Sequence, residues 1–427
     1  MRLSFDFKKI YKSSDKSILL EKIFISITIF FLLASFFIKI PSDLTNIGIS
    51  SSILNIGDRE FYINETAKGF GYDGVGDQYN FSGNILYPSI LKLITSFTNL
   101  FNQDEFSKLW NFINISITSS LSIITFHLLR VSSFNIFNKN ISSIACLIYF
   151  LNPYTYYFSL SGGLPNYVIF GVSTIFWIFS LCIKKGYKIS STINVKEILG
   201  ISLSCIFLSS LRPSGGLFAL VVLFILCFLN IKYLVSKKRL KSNIFLNCII
   251  YISSIIIVTY NLKDSLSYSL TGINVFANEG GFYFGYSRDL LRERLNSEGL
   301  NYFQKFKNFT YLIIWKLTDF VSGLSDIRDT HDAQQIESLF PFIIRTFTGV
   351  FILFPINLFS FLGLIFNLKY MIKTDLWIIV FASILTISPS LIGVASSRYL
   401  IMVYIPFIVF SAKMINDTFL NITMKKY

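Results

Sequence analysis

Apolar runs of about twenty residues, the length that crosses a bilayer as a helix, recur along almost the whole chain. They fall at 23–40, 109–129, 141–160, 166–183, 198–211, 216–233, 244–262, 346–367, 376–394 and 399–416, and predict ten membrane spans. Two stretches break the pattern. Residues 41–85 are too polar to cross a membrane. The segment after them, 86–101, is apolar but carries a Lys and several Ser and Thr, so an interfacial helix is expected there rather than a span. Up to residue 108 these form a first outer segment. A second, 263–345, is long for a structureless loop, and helices are expected within it. Ser287 to Leu295 has apolar positions at helical spacing with opposite charges in its first turns, and Phe309 to Val321 is amphipathic. Glu279-Gly280-Gly281 reads as a turn. The fold class predicted is an all-α polytopic membrane protein, one domain over 1–427.

Composition agrees. Of 427 residues, 53% are hydrophobic and 15% charged, where a soluble domain carries roughly a quarter charged. A net charge of +14 would suit nucleic acid if the basic residues formed a groove. They sit instead in short segments between alternate apolar runs: Arg130 and Lys139; Lys184, Lys185, Lys188 and Lys196; Lys232, Lys237, Lys238, Arg239 and Lys241; Lys369 and Lys373. The short segments on the other side hold only Arg212 and Arg398. This is the positive-inside pattern, and it predicts cytoplasmic termini with no nucleic-acid partner. It also puts eighteen of the 24 acidic residues outside. The basic start followed by the first run resembles a signal peptide, but no small-x-small cleavage site follows, so a signal anchor is expected. The five cysteines lie in or beside apolar runs and read as small buried hydrophobes. His127 falls in a span and reads as a packed core residue, and His331 as a solvated one.

The chain has no Walker A loop, Gly-x-Ser-x-Gly, His-Glu-x-x-His or Cys-x-x-Cys. Its candidate chemistry is the first outer loop, where Asp58, Glu60, Glu65, Asp73 and Asp77 fall within twenty positions. A carboxylate beside the membrane can take a proton from a sugar hydroxyl that attacks a lipid-linked donor. The alternative is a solvated loop whose acids keep the surface polar. Arg212 and Arg398 stand at outer ends of spans, where arginine needs a partner. A lipid phosphate can be that bidentate partner; so can an outer carboxylate or the water at the surface. Arg288, near the Gly280 turn, is a further phosphate candidate. Tyr62 and Tyr72 can stack on a sugar, and Asp73 and Asp77 complete the candidate substrate contacts. Outer carboxylates are oxygen ligands of the kind a divalent ion takes, but no ligand spacing singles one out, and no cofactor is expected.

Gly57-Asp58-x-x-x-Tyr62, then Ala67-x-Gly69-Phe70, then Asn84-Ile85-Leu86-Tyr87-Pro88 resembles the first outer loop of PIG-V-like mannosyltransferases. Leu151-Asn152-Pro153 resembles that family's Pro-containing stretch at the outer end of a helix. Leu211-Arg212-Pro213-Ser214-Gly215 is similar to its Arg-x-x-Gly, and Ser397-Arg398-Tyr399, before a span containing Pro406, to its C-terminal Arg-Tyr. The chain departs from the family at Gly57, where a Trp is usual, and at Gly163 to Asn166, where a Tyr-Ser-Glu is usual. The resemblance implies the GT-C class of multispanning glycosyltransferases. It implies Asp58 as general base, a polyprenyl-phosphate sugar donor, and a lipid, glycan or protein acceptor on the periplasmic side of a bacterial inner membrane. Two other functions remain open: a polymerase or ligase of lipid-linked oligosaccharides, and a transporter or flippase. The latter calls for repeats and broken helices, and the sequence shows no repeat.

Overall fold

The structure is a computed structural model. It describes residues 16–37, 86–98, 103–152, 155, 156, 159, 164–186, 194–211, 213–237, 245–262, 301–304, 306, 307, 310, 349–392 and 401–424. Every regular element among the described residues is helical. In chain order the helices are α1 (Lys16–Phe37), α2 (Leu86–Thr98), α3 (Gln103–Ile136), α4 (Lys139–Leu151), α5 (Leu164–Lys184), α6 (Val195–Ser209), α7 (Pro213–Lys237), α8 (Phe245–Leu262), α9 (Phe354–Phe366), α10 (Leu368–Lys373), α11 (Trp377–Ile392) and α12 (Tyr404–Met424).

Among the described residues, five stretches are long and apolar enough to cross a membrane: Lys16–Ala34, Phe112–Ile136, Leu164–Lys184, Ser214–Tyr233 and Phe245–Leu262. They mark the chain as a multi-pass membrane protein. Three shorter apolar helices, Lys139–Leu151, Phe351–Phe366 and Trp377–Ile387, fall where spans are expected at 141–160, 346–367 and 376–394. The expected spans 198–211 and 399–416 correspond to α6, of 15 residues, and to α12, which begins only at Tyr404. The expected interfacial helix is α2. Its Tyr87 and Ile94 are buried, while Leu93 and Phe97 face outward. The helices expected at Ser287–Leu295 and over most of Phe309–Val321 lie outside the described residues.

Outward faces carry apolar stripes at four-residue spacing: Leu199 and Leu203 on α6, Phe224 and Phe228 on α7, Ile252, Ile256 and Tyr260 on α8. In water such stripes drive aggregation; hydrocarbon accepts them. The interior combines large side chains such as Phe24, Phe126, Tyr149, Phe176 and Phe179 with small ones such as Ala145, Ser173 and Ser180. α3 is central, packed against α1, α2, α4, α5 and α12. α12 is enclosed by α4, α5 and α9, α6 lies between α5 and α7, and α7 packs on α11. The five cysteines are buried free thiols, as their apolar context predicts.

Side-chain contacts fix two ends of this bundle. One end is basic. Arg130 Nε lies 2.7 Å from Glu21 Oε2, and His127 Nδ1 lies 2.8 Å from Glu21 Oε1, so a carboxylate in the second turn of α1 is neutralised by α3. His127 is therefore not a packed core residue. Half of its side chain is exposed, and it serves this ion cluster. At the same end Lys185 Nζ meets Glu197 at 2.5 Å, joining α5 to α6. The Asn138 side chain accepts from Ile141 N and caps α4. The Tyr370 hydroxyl donates to the Ile136 carbonyl at 2.9 Å, with burial pushing its phenol up. Lys184 and Lys413 stand over the rings of Phe134 and Phe137. The opposite end is built from hydroxyls, amides and phenols.

Candidate functional site

The far end is organised by an interruption after α4. Pro153 has no N–H, so the Tyr149 carbonyl loses the donor that a continuing helix would supply. α4 accordingly stops at Leu151 and Asn152 turns extended. The Thr155 hydroxyl takes over, donating to the Tyr149 carbonyl at 2.8 Å. That uses its only proton, so the Tyr404 hydroxyl, 2.5 Å away, must be the donor in their shared bond. The Tyr149 hydroxyl in turn meets Ser122 Oγ at 3.2 Å. One turn on, the Ser159 carbonyl accepts from Thr118 Oγ1 at 2.8 Å, and the Asn166 amide donates to the Thr118 carbonyl at 2.9 Å. Irregular backbone at membrane depth survives only where protein groups satisfy it. Here Thr155, secured by Tyr404 of α12, serves the Tyr149 carbonyl, and Thr118 of α3 serves the Ser159 carbonyl.

Thr155→Val tests this account. It keeps the shape, but strands the Tyr149 carbonyl and the Tyr404 hydroxyl. A stability loss of about 1–3 kcal/mol is expected, read as earlier thermal unfolding in detergent, with Thr155→Ser close to wild type. A Val variant that melts with the wild type would show that the interruption needs no such donor.

Beside the interruption lies the α6–α7 corner. α6 ends at Ser209, Leu211 is buried, and Pro213 opens α7, where its missing N–H and fixed φ do no harm. Only Gly fits at 215, because a Cβ there would lie 2.4 Å from the Leu208 carbonyl. Asn261 on α8 ties the corner down by donating to Ser209 Oγ at 2.9 Å. The start of α2 docks onto it: Leu86 N donates to the Ser210 carbonyl at 3.1 Å. The next residue, Tyr87, stands edge-on to Tyr167 of α5, with ring centroids 5.5 Å apart.

Asp58, Tyr62, Tyr72, Asp73, Asp77, Arg212, Arg288 and Arg398 all lie outside the described residues. Their chain neighbours are described. Leu86 closes the acidic loop, Leu211 and Pro213 flank Arg212, and Ile401 follows Arg398 by three positions. The contacts above join these neighbours. Leu86 meets Ser210, and the stretch after Asn152 meets Tyr404. Thr155, Asn166, Tyr167 and Tyr404 were not singled out by sequence as site residues. Thr155 had a signal: a hydroxyl two positions after Pro153, free to replace the missing donor. The others had none, because their partners lie tens to hundreds of positions away.

Compared with known proteins, the chain matches no family model, no curated protein and no solved structure.

Proposed function

We propose that the chain is a membrane glycosyltransferase of the GT-C kind. It would move a sugar, a hexose such as mannose, from a polyprenyl-phosphate donor to a lipid, glycan or protein acceptor. Asp58 is the base, and Arg212 and Arg398 hold the donor's phosphate. One observation supports this above others. Segments carrying the separate sequence motifs, at Leu86-Tyr87, Asn152, Leu211 and Tyr404, meet at a single end of the bundle although more than 300 positions separate the first from the last. Alternating spans put every outer connection at one face, so the support lies in the direct contacts there: Leu86 to Ser210, Tyr87 to Tyr167 and Thr155 to Tyr404. The direct test is transfer of labelled sugar from a polyprenyl-phosphate donor in membranes with and without the chain. Equal transfer in both would end this reading.

The proposal includes a topology: ten spans in a bacterial inner membrane, with the basic end cytoplasmic and the hydroxyl-rich end periplasmic. Reporter fusions at Lys238 and Glu298 are expected on opposite sides, Lys238 inside, following the basic residues around it. Both reporters on one side would overturn the layout.

A transporter is the second reading. The interruption after Leu151 and the π-helical turn at Gly349–Leu353 are irregularities that transporters place around substrates. Uptake of a sugar-lipid into vesicles without any transfer of its sugar would favour it.

A further inference from the structure

Buried hydroxyls without a partner are rare, because burial without a hydrogen bond destabilises the fold. Tyr167 is such a group. Its residue is 3% exposed, and its hydroxyl has no hydrogen-bond partner. Thr28, Thr125, Ser132, Ser202, Tyr251 and Ser411 also carry unpartnered buried hydroxyls, but they stand in the bodies of their helices. Tyr167 alone of these lies in a first turn, that of the 21-residue α5. That turn is a place where backbone N–H groups lack intrahelical acceptors and the helix dipole is positive. It contains no acidic residue to neutralise it. The Tyr167 ring lies beside that of Tyr87 at the start of α2, with centroids 5.5 Å apart, which places it at the hydroxyl-rich end.

The surroundings specify the ligand. The Asn166 amide donates to the Thr118 carbonyl, and the Tyr167 hydroxyl of the same turn has no partner. Its ring abuts Tyr87, and through Leu86 the same corner is bonded to Ser210, two residues before Arg212. A phenol and a helix N-terminus both donate, so they select an acceptor-rich anion over a sugar hydroxyl. α2, which forms one wall, turns Leu93 and Phe97 outward, a surface that suits an acyl or prenyl chain.

We propose that the Tyr167 hydroxyl and the first turn of α5 bind the phosphate of a polyprenyl-phosphate lipid. This rests on the glycosyltransferase reading for the identity of the lipid, and adds a binding residue to that site.

The test uses the purified full-length chain in detergent and radiolabelled polyprenyl phosphate. Polyprenol of equal length, inorganic phosphate and phosphatidylglycerol serve as competitors. Tyr167→Phe keeps the ring and its contact with Tyr87 and removes only the oxygen. Two opposite changes are expected. Affinity for polyprenyl phosphate falls about tenfold, the size of one hydrogen bond to a charged group. Thermal stability rises by about 1–2 °C, because an unpartnered buried polar atom is gone. A role in packing alone would not move the two readouts in opposite directions. Unchanged affinity in Tyr167→Phe, or a lower melting temperature, overturns the proposal. So does full displacement by inorganic phosphate or phosphatidylglycerol at equal concentration, which would make the site one for any phosphate or any anionic lipid. If wild type binds polyprenyl phosphate no better than polyprenol, this proposal and the donor assignment fall together. If binding behaves as expected while no sugar is transferred, the phosphate site stands and the enzyme reading falls.

Discussion

Asp58→Asn is expected to slow sugar transfer by about a hundred- to ten-thousand-fold, the usual loss when a general base is removed. Asparagine keeps the shape and the hydrogen bonding of the side chain but cannot take a proton. The base must reach the acceptor hydroxyl while the donor's anomeric carbon lies on its other side. An acid on a loop beside the membrane can meet that demand, because the lipid phosphate fixes the donor at the same depth. The loop that carries Asp58 ends at Leu86, which is bonded to the corner that contains Arg212. On the proposed reading, the base and a phosphate ligand are therefore carried on adjoining pieces of chain. Protein level and melting temperature are expected to match wild type, as for an acid on an outer loop that serves chemistry. Asp73→Asn and Asp77→Asn should transfer faster than Asp58→Asn. The assay is transfer from a labelled polyprenyl-phosphate donor in membranes. Wild-type transfer by Asp58→Asn beside a dead Asp77→Asn would move the base to the later acid.

The helices were legible because lipid imposes a coarse rule: stretches that cross it must be apolar for a fixed length. All ten expected spans contain a helix. Their ends were harder to read. At α4 the apolar run continues to residue 160 while the helix stops at Leu151, because one missing N–H at Pro153 outweighs the hydropathy around it. At α1 the helix begins at Lys16, well before the apolar run, and its Glu21 is paired with Arg130 and hydrogen-bonded to His127. The same cluster explains why His127 defied its apolar context. Hydropathy describes a residue's neighbours in sequence, whereas Glu21 lies 106 positions away. The acids and arginines expected in the site were conspicuous because charge is scarce between spans. The uncharged groups of the far end, Thr155, Tyr404 and Tyr167, look like any other hydroxyls in this chain until the fold pairs or strands them.

Gly363→Ala is expected to destabilise the protein by about 3 kcal/mol, although alanine is the better helix former by about 1 kcal/mol. α9 crosses α12 at this glycine so closely that a Cβ would lie 2.3 Å from the Phe410 carbonyl oxygen and 2.7 Å from its carbon. Both are backbone atoms, and no rotamer change can move them aside. α12 cannot retreat either, since Ile401 to Ala412 are buried throughout. α9 must therefore shift outward, breaking its packing around Ser360 and the edge contact of Phe361 with Phe407. Overpacking of a rigid interior commonly costs about 1–3 kcal/mol, and more when backbone meets backbone. Gly200→Ala is the control. Its Cβ would meet the Ile178 side chain, with Cδ1 at 2.9 Å and Cγ1 at 3.9 Å, the end of a flexible side chain. The helix-propensity gain should offset that contact to within about 0.5 kcal/mol. The two variants differ in what the new methyl meets, not in chemistry. Function should follow stability, because α12, which loses its packing against α9, also carries Tyr404, the donor that secures Thr155 at the hydroxyl-rich end. Thermal unfolding in detergent separates the pair. Equal melting temperatures for Gly363→Ala and Gly200→Ala would mean that α9 and α12 can separate freely, and that the far end is not held in place by their contact.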